Sequence, residues 1–535
     1  MIKNIYRDCY AGSLREKDID KEVKVAGFIE NIRDHGGVIF VDLRDYYGTL
    51  QLVSNDDKMF DDLTRESSVT VMGKIRKRDS DDYNDRIETG TIELLVSSIK
   101  VLGKSKNVLP FEVMTSKDVS EDVRLKYRYL DLRNPKVKQS ILFRNKVIHF
   151  LRNLMESEDF VELQTPILTS SSPEGARDFL VPSRKYKGKF YALPQAPQQF
   201  KQLLMCAGFD KYYQIAPCFR DEDARSDRVY GEFYQLDFEM AFSTEEDVLR
   251  MGEKVFYETF REFAKDKDIS EPPFIRLTYK EAMEKYGSDK PDLRNPLVII
   301  DLTEEFEETE FRPFRGVPVK GIKVENLASK SNSWFNEVVD YAKSIGMPGI
   351  GYLKVNEDLS FAGPIDKFLT DPNKYVFAII HDFPMFEWDE ENECYTFMHN
   401  PFSMPKDGMK GLDQKVEDIL AYQFDFVCNG VELSSGAVRN HDLEIMKKVF
   451  AIAGYEEEEI EKRFKALYEA FQYGAPPHAG MAPGLDRILM MLLDEDSIRE
   501  TIAFPMSASG SDILMNAPST VTEQQLREVH IKVRD

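Results

Sequence analysis

Alternation of apolar and polar residues is clearest in the middle of the chain, where two β-prone runs, 212–219 and 232–240, flank a charged loop. In the second run Tyr234, Leu236, Phe238 and Met240 point one way, and Gln235, Asp237 and Glu239 the other. The apolar face needs cover from helices; the polar face calls for a ligand or water. Arg220 closes the first run, and the loop 221–231 reaches outward. The pattern by itself suits an antiparallel hairpin with a solvated tip equally well. Upstream, strand-like runs at 22–32, 38–44, 49–53, 68–75 and 90–101, with a polar helical segment at 58–66, predict a five-stranded Greek-key barrel over residues 1–105. Residues 106–135 keep no sustained period and read as a hinge, ended by Asn134-Pro135. Val147, Leu151, Leu154 and Met155 then form one stripe of a helix over 142–155, and an extended run with Pro166 follows at 160–168. The Ser-, Pro- and Gly-rich stretch 170–184 predicts a loop, and Gln198 and Lys201 share the first turn of the next helix. Between 290 and 385 the composition resets. A strand–helix–strand unit (319–324, 331–344, 349–355) predicts an inserted α/β domain, dividing one larger domain into 136–289 and 386–535.

Composition narrows the reading. A chain of 535 residues implies several domains. No apolar run approaches the roughly 20 residues that cross a bilayer, and MIKNIYRDCY has no apolar core behind its charges, so neither a membrane anchor nor a signal peptide is expected. Cys9, Cys206, Cys218, Cys394 and Cys428 form no CxxC pair, which predicts reduced thiols, a cytoplasmic setting and no zinc site. A net charge of −23 opposes long-range attraction of nucleic acid, leaving local steering by a basic strip of Lys74, Arg76, Lys77 and Arg78. No GxxxxGK[ST] is present, so this is not a P-loop enzyme. Asp425 and Glu432, seven apart in an extended stretch, are hard-oxygen donors suited to Mg²⁺, or else exposed hairpin charges. Gly484 stands at a strand-to-helix junction where a nucleotide can approach the backbone. Arg487 opens an otherwise apolar helix and needs a partner, either an anionic phosphate or the carboxylate of Asp486 or Glu495. On pattern alone Lys201 and His399 read more readily as solvated residues, and Phe40 as barrel core.

Three separated stretches carry a resemblance. FRDE, then R-x-D-R, then GEFYQLDFEM (219–240) resembles motif two of class II aminoacyl-tRNA synthetases, specifically the aspartyl enzymes. The helix and proline-bearing strand at 142–168 resemble motif one, the dimer interface of that family. GAPPHAGMAPGLDRILMMLLDEDSIRETIAFP (474–505) resembles motif three, and RDHGGVIFVDLRDYYGTLQLV (33–53) the anticodon-binding OB-fold. The resemblance implies an α+β multidomain protein: an N-terminal OB-fold barrel, an antiparallel class II catalytic sheet flanked by helices, and an inserted α/β domain. That insertion is shorter than in bacterial relatives, because Phe368 runs almost directly into 375–383. The implied activity is ATP- and Mg²⁺-dependent attachment of L-aspartate to tRNA-Asp through aspartyl-adenylate, by a homodimer. His35-Gly36 resembles the pair in members that also charge tRNA-Asn. The implied aspartate ligands are Glu174, Gln198, Lys201, Arg220, Asp237, His399 and Arg439. The implied ATP ligands are Arg220, Asp221, Glu222, Phe233, Glu432, Gly484, Leu485, Asp486 and Arg487, with Asp425 and Glu432 on the metal. Phe40, Gln51 and His35 would meet the anticodon. Asn400 stands where many relatives carry a second histidine. The rival readings are an asparaginyl enzyme of the same fold and a non-catalytic RNA-binding paralogue; the joint presence of Arg220, Glu432 and Arg487 speaks against the latter.

Overall fold

The computed structural model describes residues 4–34, 39–54, 56–171, 176–304, 306–307, 314, 316–322, 331–344, 346, 350 and 373–534. They divide into two compact units, Met1–Glu112 and Val113–Asp535.

In the first unit β1 (Glu22–Asp34), β2 (Ile39–Arg44), β3 (Thr49–Val53), β4 (Ser68–Lys77) and β5 (Ile92–Gly103) close a barrel in the order β1-β2-β3-β5-β4. Alternation does the folding: Val69, Val71 and Ile75 of β4 turn inward onto Val25, Val41, Leu50, Leu52 and Leu94, while the residues between them face out. The helix expected at 58–66 is absent. Only a single tight turn forms, Asp57–Phe60, because Asp56 caps it at the Lys58 N–H and Glu66 takes a left-handed backbone (φ 64°) to grip Arg44 with both carboxylate oxygens at 2.8 Å. The residues of the expected basic strip have acidic or carbonyl neighbours. Lys74 pairs with Asp20 at 2.8 Å, Arg76 with Glu93 at 2.6 Å and Lys77 with Glu16 at 3.9 Å, while Arg78 is buried on the Ile92 carbonyl.

The second unit begins with α1 (Glu121–Lys126) and α2 (Arg128–Asp131), in the stretch that lacks periodicity. Charge holds them instead of an apolar stripe. Asp131, fully buried, accepts from Arg124 at 3.2 Å, from Arg128 and from the Ser116 hydroxyl at 2.5 Å, and Arg124 reaches Glu500 at 2.7 Å. Asn134 caps α3 (Pro135–Ser157) with Pro135 in its first turn. The extended run at 160–168 pairs only over β6 (Val161–Glu162). Beyond it the Gln214 side chain takes the Thr165 N–H at 2.8 Å and Pro166 has none to give. The hairpin β7 (Leu180–Pro182) and β8 (Phe190–Ala192) leads to α4 (Gln198–Cys206), β9 (Lys211–Arg220), β10 (Gly231–Ala241) and α5 (Glu245–Phe263). Next come β11 (Asp268–Ile269), β12 (Ile275–Thr278) and α6 (Tyr279–Tyr286). Within 290–385 the described elements are the antiparallel pair β13 (Ile299–Asp301) and β14 (Lys320–Ile322), α7 (Asn332–Ser344), β15 (Lys374–Tyr375) and β16 (Phe377–His381). The strand expected at 349–355 lies outside the described residues except at 350. The chain closes with the hairpin β17 (Phe386–Asp389) and β18 (Cys394–Phe397), then β19 (Gln423–Cys428), β20 (Val431–Val438), α8 (Leu443–Ile452), α9 (Glu457–Arg463), α10 (Lys465–Ala470), β21 (His478–Met481), α11 (Leu485–Leu492) and α12 (Glu523–Glu528).

Among the described residues eight strands form one sheet, β12-β16-β19-β20-β21-β10-β9-β6, antiparallel except at its two edges. Its apolar face carries Leu236, Phe238, Phe424 and Phe426, covered by Val147, Leu151 and Met155 of α3, Val255, Phe256 and Phe260 of α5, and Ile488 and Leu489 of α11. Gly252 lets α5 lie close: a Cβ there would come within 2.7 Å of Met481 and Phe426.

Candidate active site

The sheet's other face floors a cleft of about 640 Å³, lined by residues of α4, β9, β10, β19, β20, α11 and the loop 398–401. Alternation along β10 puts Asp237 and Glu239 on that face; Asp237 lines the cleft, and both are fully buried. They are neutralised there. Lys201, 2% exposed, sits 2.6 Å from Asp237 and 3.4 Å from Glu239. Arg439 grips Glu239 at 2.9 and 3.2 Å and donates to the Gly480 carbonyl at 3.1 Å. Gly480 makes this possible, because a Cβ there would fall 2.2 Å from the Glu239 carboxylate. Burial pushes the Asp237 carboxyl up; for Glu239 burial is outweighed by Arg439 and Lys201, which hold it below the usual range. Two cations and two carboxylates thus form one closed cluster. Neither cation is used up: Lys201 keeps one N–H, and among the described residues Nη1 of Arg439 meets no acceptor. Gln198 lies beside them, accepting from Asn400 at 3.2 Å and donating to Gln202 at 3.1 Å. His399 packs edge-on against Phe383 at 4.9 Å, and burial lowers its pKa.

Also lining the cleft, Arg220 stacks over the Phe233 ring, 5.1 Å from its centre, and among the described residues its buried Nε has no partner. An unpaired buried cationic donor is costly unless an anion arrives. Arg487 donates to the Glu432 carbonyl at 2.8 Å and to the Asp227 carbonyl and carboxylate at 3.2 Å each. The partners first considered for it are taken: Asp486 binds Arg144 and the Tyr234 N–H (3.0 Å), and Glu495 binds Lys117 at 2.8 Å. Asp425 is buried with one oxygen unpartnered among the described residues, and burial together with the nearby Glu432 charge pushes its carboxyl well up. Lys290 approaches Glu432 at 3.4 Å. Gly484, with φ −71°, caps α11, and a Cβ there would make only ordinary contacts, nearest 3.6 Å.

Of the residues expected at the site, Gln198, Lys201, Arg220, Glu222, Phe233, Asp237, His399, Asp425, Glu432, Arg439, Gly484, Asp486 and Arg487 line this one cleft. Asp221 is not in its lining and accepts from Tyr230 at 2.9 Å; Leu485 is core. Glu174 and His35 lie outside the described residues. Phe40 and Gln51 belong to the barrel unit. Phe40 is half-buried and outside the core cluster, and the Gln51 amide donates to Glu93 at 2.7 Å and accepts from Arg33 at 3.2 Å. Sequence reasoning missed Glu239, Lys290 and Asp227. Only Glu239 had a signal, its place beside Asp237 on the polar face.

Residues 120–508 match the family of class II tRNA synthetases (D, K and N), and 23–102 match the OB-fold nucleic acid binding domain. The aspartate–tRNA(Asp/Asn) ligase of Rickettsia bellii is 47% identical over 588 aligned positions, covering 98% of this chain and 97% of the relative. The aspartate–tRNA ligase of Streptomyces coelicolor is 46% identical over 581 positions, covering 99% of each. Both alignments are longer than the chain's 535 residues, so these relatives hold residues that it lacks. In fold it is similar to the asparaginyl-tRNA synthetase of Pyrococcus horikoshii complexed with asparaginyl-adenylate (TM-score 0.64, 20% identity, 94% and 98% of the two chains) and to the aspartyl-tRNA synthetase of Entamoeba histolytica (0.59, 21%, 92% and 89%). With a family model spanning most of its length and near-full-length relatives at almost half identity, the chain belongs to the class II tRNA synthetases, among the bacterial-type aspartyl enzymes.

Proposed function

We propose that the protein activates L-aspartate with ATP and transfers it to tRNA-Asp, and that the cleft is where both steps occur. The observation that carries this reading is the pair of buried cations, Lys201 and Arg439, which both contact Glu239 and both line the cleft. A side-chain carboxylate accepts from both. The amide of asparagine would turn its own NH₂ toward one of them, which disfavours the asparaginyl alternative.

In the first step the aspartate α-carboxylate attacks the α-phosphorus in line, and pyrophosphate leaves. Arg220, whose Nε lacks a partner, neutralises charge at the α-phosphate; Arg487 meets the far end of the triphosphate. Phe233, with Arg220 on one side of its ring, offers stacking to the adenine. In the second step the terminal ribose hydroxyl of the tRNA takes the aspartyl group and AMP leaves. No protein nucleophile is needed: positioning and charge neutralisation suffice. Asp425 and Glu432 suit Mg²⁺, since two neighbouring carboxylates, one with a buried unpartnered oxygen, are relieved by a hard dication. Bound there, the ion supplies further neutralisation of the triphosphate. The aspartate ammonium is assigned to Glu174 by the motif alone.

The reading extends to three further points. The barrel meets the anticodon through Phe40 and Gln51. His35-Gly36 favours charging of tRNA-Asn as well, as the name of the R. bellii relative indicates for that protein. Motif one, α3 and β6, forms a homodimer contact, and β6 is an edge strand with Val161 exposed. ATP–pyrophosphate exchange tests the central claim: aspartate should support it and asparagine should not. Exchange driven by asparagine would overturn the assignment. Charging of purified tRNA-Asp and tRNA-Asn, and sedimentation of the free protein, test the rest.

A further inference from the structure

The loop 221–230 is pinned to its surroundings through its backbone. The Ser226 carbonyl accepts from the Ile498 N–H at 2.8 Å, the Arg225 N–H donates to Arg228 at 2.8 Å, and Arg499 reaches the Arg225 carbonyl at 3.4 Å while gripping Glu121 of α1 at 2.5 Å. These contacts place the next residue, Asp227, against Arg487. Its carboxylate lies 3.2 Å from Nη2 and its carbonyl 3.2 Å from Nε, so it covers the Nε–Nη2 edge of the guanidinium. Nη1 is held separately, by the Glu432 carbonyl at 2.8 Å, with the Glu432 carboxylate 3.9 Å away. Both Asp227 and Arg487 line the cleft, and their side chains are 41% and 23% exposed.

Nη2 of a guanidinium is a donor that a phosphate oxygen takes. It is covered by an anion of the same sign as that ligand. We infer that Asp227 is a built-in stand-in for the nucleotide phosphate: it occupies Arg487 in the free enzyme, swings aside when ATP binds, and returns when pyrophosphate leaves. This rests on the proposed role of Arg487 at the triphosphate. The exchange needs little rearrangement and is confined to Nη2: the loop backbone is held by Ile498 and Arg499, so the Asp227 carbonyl stays on Nε while its side chain turns and frees Nη2. The carboxylate then lowers the affinity for both ATP and pyrophosphate by competing for Nη2 of Arg487. A part-exposed ion pair is worth roughly 0.2–1 kcal/mol, so the competition amounts to about a two- to fivefold change at its upper range.

The test is Asp227→Asn, with Asp227→Ala as a second variant because asparagine keeps an acceptor oxygen. Apparent KM values for ATP and for pyrophosphate are measured in the exchange reaction at saturating aspartate, with ATP binding followed by calorimetry and folding checked by thermal melts. Both KM values should fall about two- to fivefold in folded protein, and the effect should vanish in an Arg487→Ala background. Unchanged or raised KM values would overturn the inference and show that Asp227 merely supports Arg487. The same tightening without Arg487 would also overturn it, since the effect would then be general repulsion. If Arg487→Ala binds and exchanges ATP as the wild type does, the role of Arg487 itself fails, and that outcome is separable from the rest.

Discussion

Replacing Lys201 by methionine removes one cation from the buried cluster while keeping most of the stem. Two consequences follow from the distances. Asp237 and Glu239 are left with Arg439 alone, and Asp237 is the one that must take up a proton. Burial already pushes its carboxyl up, whereas Arg439 contacts Glu239 directly at 2.9 Å. Breaking a buried pair by removing one partner costs about 3–5 kcal/mol, so the variant should be destabilised by that order. The sign of the pH dependence is fixed. Asp237 in the folded variant has a pKa raised above its unfolded value, so the folded state holds more protons, and stability falls as pH rises through the window between the two values. The deficit should therefore be smaller near about pH 5 than near about pH 8. The second consequence is for substrate. Aspartate loses one charged donor, worth about 1.5–3 kcal/mol, or roughly ten- to a hundredfold in kcat/KM. Asparagine loses less, because one fewer donor now opposes its NH₂. Pyrophosphate exchange with each amino acid, on protein shown to be folded by melts, measures both. An aspartate-to-asparagine ratio that stays at the wild-type value would place Lys201 outside the substrate pocket and leave it a structural counter-ion.

Arg220→Ala should lose about 2–4 kcal/mol of transition-state stabilisation, seen as a thirty- to thousandfold drop in exchange without loss of fold; wild-type exchange would contradict the reading of its unpartnered Nε. Phe40→Ala and Gln51→Ala should weaken tRNA charging while leaving aspartate-dependent exchange unchanged; equal losses in both assays would make the barrel part of the activation site. Asp131→Asn should destabilise the protein by about 3–5 kcal/mol in denaturant melts, because Arg124 and Arg128 would stay buried facing an amide. A midpoint within error of wild type would show that Glu500 and the carbonyls of Ile502 and Ala503 suffice for them.

The barrel and the central hairpin were legible because one face of each strand is apolar and the period of two survives to the strand ends, as in β4 and β10. Segments held by charge were not. The stretch carrying α1 and α2 has no sustained apolar stripe: Leu125 and Leu130 are buried beside Arg124, Arg128 and Asp131, and the carboxylate that completes the charged group, Glu500, lies 376 residues from Arg124. In the cleft, residues that stand out locally were found one by one: an arginine opening an apolar helix, a carboxylate inside an apolar strand. Asp227 does not stand out. It is one more charge in a loop full of them, and only its distance to Arg487, 260 residues away, distinguishes it.

Glu239 shows what this costs in understanding. With Lys201, Asp237 and Arg439 alone, the sequence suggests a positive pocket that attracts aspartate by charge. Glu239, 200 residues from Arg439, cancels that excess, and the four side chains sum to zero. Net charge therefore cannot be what separates aspartate from asparagine here. What remains is direction. Asp237 and Glu239 hold the two cations so that the Lys201 ammonium and Nη1 of Arg439 keep donors over, and a ligand oxygen is accepted where an NH₂ group is not.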